Sequence, residues 1–223
     1  MQVIPAWNKR FWVERLKEIP SPPVKPDVAA LFVRADSVYM RVDGVDAYDQ
    51  KRDARNWIGG APAVAHPPCR AWSCLKAFAK PPPGERRLAI WSVLQLRRNG
   101  GVLEHPKGSG LWRKMNLPRP GDSLDKWGGW TLEVDQFHWG HKCRKRTWLY
   151  IVGTLDLPPI PHRDGEPTHV IDRSGRARKL ERPNSAGKKP WCSHADRERT
   201  PPEFARWLVE LARRCKRNIP ARP

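Results

Sequence analysis

The sequence predicts an α/β protein, in which one sheet of short strands is covered by helices. Short apolar runs alternate along the chain with longer segments whose apolar residues recur at helical spacing. Such an alternation is typical of a sheet with helices packed on both of its faces. The length of 223 residues is enough for a single domain with a substantial core.

The elements predicted in the first third of the chain are short. An amphipathic helix over residues 11–19 precedes a proline-rich linker over residues 20–26, because proline fixes the backbone and interrupts helices. Asp46 and Asp49 lie at the tip of one predicted strand. The other apolar runs are predicted strands over 28–33 and 61–65, and a strand or the start of a helix over 37–42.

A longer helix is predicted over residues 85–99. Leu88, Trp91 and Leu96 supply its apolar positions, and Gly100 stops it. The alternation then continues with a strand over 101–104, a short helix over 109–115, strands over 130–137 and 147–153, and a closing helix over 202–216.

The composition of the chain changes between residues 158 and 200. Proline, glycine and charged residues dominate there, which predicts a long loop or an arm without a core of its own. We therefore divide the chain into four parts: an N-terminal helix and linker (1–27), a core (28–157), a basic arm (158–200) and a C-terminal helix with its tail (201–223).

The net charge of the chain is +19, from 42 Lys and Arg against 23 Asp and Glu. A field of this sign favours a polyanionic partner, with nucleic acid ranked above an anionic membrane. No apolar run is long enough to span a membrane, and the N-terminal residues lack the pattern of a secretory signal. The five cysteines show no disulfide spacing. We therefore expect a cytoplasmic nucleic-acid-binding protein with reduced thiols.

Three short segments carry residue types that are suited to chemistry. The first, His66-Pro67-Pro68-Cys69, follows a predicted strand, and its two prolines hold the cysteine on a stiff loop. The second places Glu104 at the end of a Gly-Val-Leu-Glu strand. The third places three cations directly before or at the start of the last strand: Arg144, Lys145 and Arg146.

In this order the three segments resemble the catalytic motifs of the cytosine-C5 DNA methyltransferases. Pro67-Pro68-Cys69 resembles the nucleophile loop, Glu104-His105-Pro106 the family's Glu-Asn-Val, and residues 139–153 its Gln-x-Arg-x-Arg with an apolar strand and a glycine. The resemblance covers about residues 28–153 and implies a Rossmann-like methyltransferase-type sheet. The small size and the missing target-recognition domain resemble bacteriophage-encoded proteins, which implies the cytoplasm of a host.

The resemblance implies covalent catalysis on a pyrimidine, most simply at C5 of cytosine. Cys69 adds to C6 as a thiolate, Glu104 protonates or hydrogen-bonds N3, and Arg146 holds O2. The base is flipped out of a duplex or presented in single-stranded DNA. The cations expected to contact this DNA, chiefly at its phosphates, are Arg70, Arg144, Lys145, Arg173, Arg176, Arg178 and Lys179.

The implied cofactor is S-adenosylmethionine, which the resemblance assigns to Phe32, Asp46, Asp49 and Pro67. The family's glycine-rich first loop is replaced here by residues 32–37, which contain no glycine. Two versions therefore stay open: methyl transfer from S-adenosylmethionine, and the same thiolate chemistry with another electrophile or on an already modified pyrimidine. A further interpretation is a non-catalytic nucleic-acid-binding protein on a degenerate methyltransferase fold, in which the cysteine and the glutamate have no chemical role.

A zinc site is a separate hypothesis. His138, His141 and Cys143 lie close together in the sequence, as do Cys192 and His194. No Cys-x-x-Cys pair accompanies them, although such pairs are the usual sign of a zinc site. From the sequence we therefore expect no metal.

Overall fold

A computed structural model describes residues 26–73, 76, 79–171 and 190–216 of the chain. The helix predicted over residues 11–19 lies outside this part. So do four of the cations expected to contact DNA: Arg173, Arg176, Arg178 and Lys179.

The described residues form one six-stranded mixed sheet in the order β2-β1-β3-β4-β6-β5. Four of the strands form three parallel pairs: β1 with β2, β1 with β3, and β3 with β4. β6 runs antiparallel to both of its neighbours, β4 and β5. The bounds are β1 Val28–Leu31, β2 Val45–Tyr48, β3 Ala63–Ala65, β4 Gly101–Pro106, β5 Gly129–Asp135 and β6 Arg146–Val152.

The central strands β1 and β3 are buried on both faces and consist of aliphatic residues, most of them small or β-branched. All four residues of β1 and all three of β3 are buried, as expected for parallel strands covered by helices. Gly101 lets β4 approach β3 closely: a Cβ at this position would lie 2.1 Å from the carbonyl oxygen of Ala63. A larger residue at position 101 would therefore separate the two strands.

Helices cover the two faces of the sheet separately. The helix α1, Glu85–Asn99, packs on one face, where Ala89, Val93 and Leu96 are fully buried. A short helix on the same face, α2 (Gly110–Met115), begins after Ser109, whose Oγ accepts from the amide of Leu111. The C-terminal helix α4, Pro202–Arg214, buries Phe204 and Leu208 on the opposite face. The helix that the sequence sets apart from the core is thus part of it.

Most predicted elements are confirmed, with shifts at their ends. Residues 37–42 contain a 3₁₀ helix, η1 (Val38–Arg41), and not a strand. A second, η2, spans Ala54–Asn56. The predicted strand over 130–137 ends earlier, because the Asp135 carboxylate accepts from the amide of Phe137 and starts the 3₁₀ helix η3, Gln136–Trp139.

The arm region contains one helix that the sequence did not predict. This helix, α3 (His194–Glu198), starts at Ser193, whose Oγ accepts from the amide of Asp196. Ahead of it, Val170 pairs with Trp191 in an isolated parallel bridge. None of the helices in the described part of the chain has both the length and the apolarity needed to cross a membrane.

Candidate active site

A cavity of about 790 Å³ opens at the carboxyl edge of the parallel strands. The chain leaves β1 for β2 on one side and β3 for β4 on the other, while β1 and β3 are neighbours. Ligands of open α/β sheets bind outside the carboxyl ends of strands at such a reversal of strand order. The walls come from four places: the segments after β1 and β3, residues 139–145, and the connection from α3 to α4. We call this space the central cavity.

The loop after β3 presents Cys69 to the central cavity. The amide of His66 donates to the carbonyl of Leu31 at 3.0 Å, which ties the start of the loop to β1. The carbonyl of Cys69 accepts from the amides of Trp72 and Ser73, each at 2.9 Å. With two prolines between these anchors, the half-buried thiol has a fixed position on the cavity wall.

Glu104 lies on the same wall, in β4, and is held by a chain of side-chain hydrogen bonds. Its Oε2 is 3.2 Å from Nδ1 of His66, and its Oε1 accepts from Nε2 of Gln136 at 3.0 Å. Nε2 of His66 lies 2.8 Å from the hydroxyl of Tyr39. The carboxylate is only 12% exposed, and both of its oxygens have partners.

The protonation states of these hydrogen-bonded side chains follow from their burial. Desolvation raises the pKa of Tyr39 well above its ordinary value, so the phenol keeps its proton; its hydroxyl lies 2.8 Å from Nε2 of His66. An ionised carboxylate can only accept, so Nδ1 of His66 carries hydrogen and donates to Glu104. Burial alone raises the pKa of Glu104, but the His66 hydrogen bond and the charge of Lys145 outweigh it and lower the pKa to about 2. Glu104 is therefore a carboxylate, and the proton that it shares belongs to His66.

Cys69 is a thiol at rest. Burial, followed by the charge of Glu104, raises the pKa of Cys69 to about 11, and Lys145 opposes them. The half-buried Lys145 also donates from Nζ to the carbonyl of Arg199 at 3.2 Å. The nucleophile candidate thus depends on one nearby cation for any thiolate character.

The cation at this position is Lys145 and not Arg146, which corrects the sequence-based assignment. Side chains alternate between faces along an extended strand, so Lys145 lies on the side of Thr147, facing Glu104, and Arg146 on the side of Trp148. Nε of Arg146 pairs with Glu133 at 3.3 Å. Arg146 lines a second cavity, of about 630 Å³, in which neither Cys69 nor Glu104 takes part.

The residues expected to hold S-adenosylmethionine do not form one site. Phe32 and Pro67 line the central cavity, whereas Asp46 and Asp49 do not. Asp46 is neutralised by Arg52 at 2.7 Å, and Asp49 accepts from the amide of the same arginine. The group that would meet a cofactor ribose is thus already engaged by a cation.

The loop after β1 also departs from a glycine-rich cofactor loop. Phe32 adopts a left-handed φ of 59°, a conformation that favours glycine. Its ring packs edge-on against Trp91 with centroids 5.9 Å apart. The described residues therefore do not fit S-adenosylmethionine in the way the resemblance implies.

Six cations line the central cavity, together with four acidic side chains. Of those predicted to contact phosphate, Arg70 and Lys145 are among them, whereas Arg144 pairs with Asp135 beside the second cavity. The other four were not among the cations that the sequence assigned to DNA. We call the six cations the basic rim: Arg34, Arg70, Lys142, Lys145, Arg197 and Arg199.

One group of potential metal ligands lies beside the cavity in the described residues. His141, Cys143 and Cys192 are buried, and one ligand atom from each lies within 4.8 Å of the others. Comparison of the chain with family models, curated proteins and solved structures finds no match.

Proposed function

We propose that this protein modifies a pyrimidine, most simply cytosine, in DNA through covalent addition of Cys69 to C6 of the base. One observation carries the proposal: a single cavity at the carboxyl edge of a parallel sheet joins a fixed thiol, a buried carboxylate and a lysine. The three come from separate segments that resemble methyltransferase motifs in the same order. The mixed sheet is compatible with the methyltransferase-type fold that this resemblance implies.

The addition step uses the groups that surround Cys69. As the bond between sulfur and C6 forms, the thiol proton passes to Nε2 of His66, which gives up its hydrogen bond with Tyr39, and the Glu104 carboxylate stabilises the imidazolium that results. The electron pair of the C5–C6 bond moves onto N3 and O2, where Lys145 supplies a positive charge. The product is an enamine whose C5 is nucleophilic.

C5 then bonds to an electrophile, which releases its own leaving group, or to a proton. A base takes the original C5 hydrogen as a proton, and the electron pair of that C–H bond expels Cys69 as a thiolate and restores the aromatic ring. The contacts of Asp46 and Phe32 do not support the donor that the resemblance names. The electrophile that supplies the new group at C5 therefore need not be S-adenosylmethionine.

DNA is the proposed substrate because the cavity mouth and the whole chain are basic. The six cations of the basic rim line the cavity, four of them paired with carboxylates, and the net charge of the chain is +19. A base that reaches Cys69 must leave its stack, while the phosphates beside it pair with the rim. Affinity for DNA is then expected to fall steeply with added salt.

Release of tritium from DNA labelled at C5 of cytosine tests the addition directly, because the enamine exchanges the C5 hydrogen without any donor. We expect release by the wild-type protein and by Cys215→Ala, which removes a buried thiol that follows α4 and does not line the central cavity. Cys69→Ser should reduce release by at least about a thousandfold. Mass spectrometry of nucleosides from DNA exposed to the protein, with and without S-adenosylmethionine, then identifies what C5 receives.

The non-catalytic alternative predicts a different pattern. If wild-type protein and Cys69→Ser bind DNA equally, and neither releases tritium from single- or double-stranded substrates, the enzyme proposal is wrong. The raised pKa of Cys69 is the observation that favours this alternative.

A further inference from the structure

The buried group of His141, Cys143 and Cys192 lies where three stretches of chain meet. His141 and Cys143 belong to the turn between η3 and β6, and Cys192 precedes α3, about fifty residues later. The carbonyl of Lys142 accepts from the amide of His169 at 3.1 Å, and the carbonyl of Val170 from that of Cys192 at 2.8 Å. All three ligand residues are buried, with exposures of 5%, 0% and 6%.

The imidazole of His141 is oriented as metal-binding histidines are. Its Nε2 lies 3.1 Å from the carbonyl oxygen of Asp196, so this nitrogen carries hydrogen and donates it. Nδ1 lies 3.0 Å from the amide nitrogen and 3.1 Å from the carbonyl oxygen of Cys143. With hydrogen on Nε2, Nδ1 keeps its lone pair, and a metal ion would replace the Cys143 amide as its partner. A hydrogen bond from the second ring nitrogen to a backbone carbonyl fixes tautomer and orientation in metal sites.

We propose that His141, Cys143 and Cys192 bind a zinc ion through Nδ1 and two thiolates. Sulfur and imidazole nitrogen are the ligands that zinc prefers, at separations that fit three atoms within 4.8 Å of one another. In the described part of the chain no further histidine, cysteine or carboxylate atom belongs to the group, so water completes the tetrahedron. Each cysteine loses its proton to solvent on binding, and no group is oxidised or reduced.

The ion would fasten a region that has little apolar core. Residues 153–171 and 190–193 contain no described helix and only the isolated Val170–Trp191 bridge. The metal joins this region to the turn that carries Lys142 and Lys145. Its ligand Cys192 also lies just before α3, which contains Arg197 and is followed by Arg199. Four of the six cations of the basic rim are thus positioned by chain segments that the ion connects.

Metal analysis of untagged protein purified without chelators tests the proposal. We expect about one zinc ion per chain in the wild-type protein. Cys143→Ser, Cys192→Ser and His141→Gln should each lower the content below about 0.2 per chain. His138→Gln and Cys215→Ala, which remove the same residue types outside the group, should keep it.

Cobalt substitution provides a readout that needs no variant. Co²⁺ bound to two thiolates in a tetrahedral site gives a sulfur-to-metal charge-transfer band and intense visible d–d bands, and this spectrum is the expected result. Three outcomes overturn the proposal: no metal in wild-type protein whose thiols are all reduced, a Cys143–Cys192 disulfide in the non-reduced protein, or equal metal contents in all variants.

Discussion

Each face of the sheet carries a cluster of buried charged side chains. One cluster borders an open cavity, whereas the other is covered by an aromatic ring. On the α4 face, Glu104 is joined to His66, Tyr39 and Gln136 and borders the central cavity. On the α1 face, Arg97 contacts Asp125 and the hydroxyl of Tyr150. The ring of Trp127 lies 3.5 Å from the guanidinium carbon and closes this second group.

Similar side chains therefore have different consequences on the two faces. Asp125 accepts from Tyr150 at 2.7 Å and from the amides of Trp127 and Gly129, so its oxygens are saturated by the fold. Glu104 is also saturated, but its histidine partner and a thiol face an open space large enough for a base. A buried charge indicates a site only when a reactive neighbour and a cavity accompany it.

The largest expected effect falls on the closed face. Arg97→Met leaves Asp125 buried without its cation, which should lower the free energy of unfolding by about 3–5 kcal/mol. Urea denaturation measures the loss, and Arg98→Met on the exposed side of α1 is the control. Tritium release per folded molecule should not change. A large loss of release in folded Arg97→Met protein would remove the distinction between the two faces.

The next effect concerns His105, the neighbour of Glu104 on the α1 face. Burial lowers the pKa of His105 to about 4, so the unfolded chain binds a proton there that the folded chain does not. The contribution of His105 to the free energy of unfolding is fully present above pH 6.5. It falls by about 1.4 kcal/mol per pH unit as the pH drops toward 4.

His105→Phe should remove that part of the slope in unfolding experiments between pH 6.5 and 4.5. His162→Phe, which changes an exposed histidine, should leave it in place. Equal slopes in wild type and His105→Phe would show that this histidine is not held neutral by its burial.

A smaller effect separates the two neighbouring cations at β6. Lys145→Met removes the charge that lowers the pKa of Cys69 and should reduce tritium release by about 10- to 100-fold. Arg146→Met, on the other side of the strand, should change release less than about twofold. The reverse result would restore the assignment made from the sequence and contradict the geometry of the cavity.

The smallest expected effect is a shift in the titration of Cys69. Glu104→Gln removes a negative charge that raises the pKa of Cys69. The midpoint of the pH dependence of the rate at which iodoacetamide alkylates Cys69 should therefore fall by about one unit. Mass spectrometry of the Cys69 peptide measures the rate, and Glu133→Gln on the α1 side is the control. Faster alkylation together with slower tritium release would separate thiolate formation from catalysis; an unchanged midpoint would mean that Glu104 does not affect the thiol.

The sequence predicted most of the fold because its strands and long helices have clear local patterns. The run of Val28 to Leu31 and the helix ended by Gly100 are examples. The helix α3 was missed because it is five residues long and depends on a single cap at Ser193. Its apolar content gives no helical period.

The site was only partly predictable, for a geometric reason. Residues that follow parallel strands meet at one edge, so Cys69 and Glu104 were expected in the same place and lie there. The choice between Lys145 and Arg146 depends on strand register to a single residue, which motif alignment did not fix. Tyr39 and Arg199 reach the cavity, and Gln136 reaches Glu104, only through tertiary packing, and no local signal marks them.

The proline pair before Cys69 has a consequence for the chemical durability of the protein. Neither Pro67 nor Pro68 has an amide hydrogen, so the residues directly before the thiol offer it no backbone donors. Hydrogen peroxide and disulfides react with thiolates far faster than with thiols. With a pKa of about 11, Cys69 is almost entirely a thiol at neutral pH, so we expect it to react slowly with such oxidants.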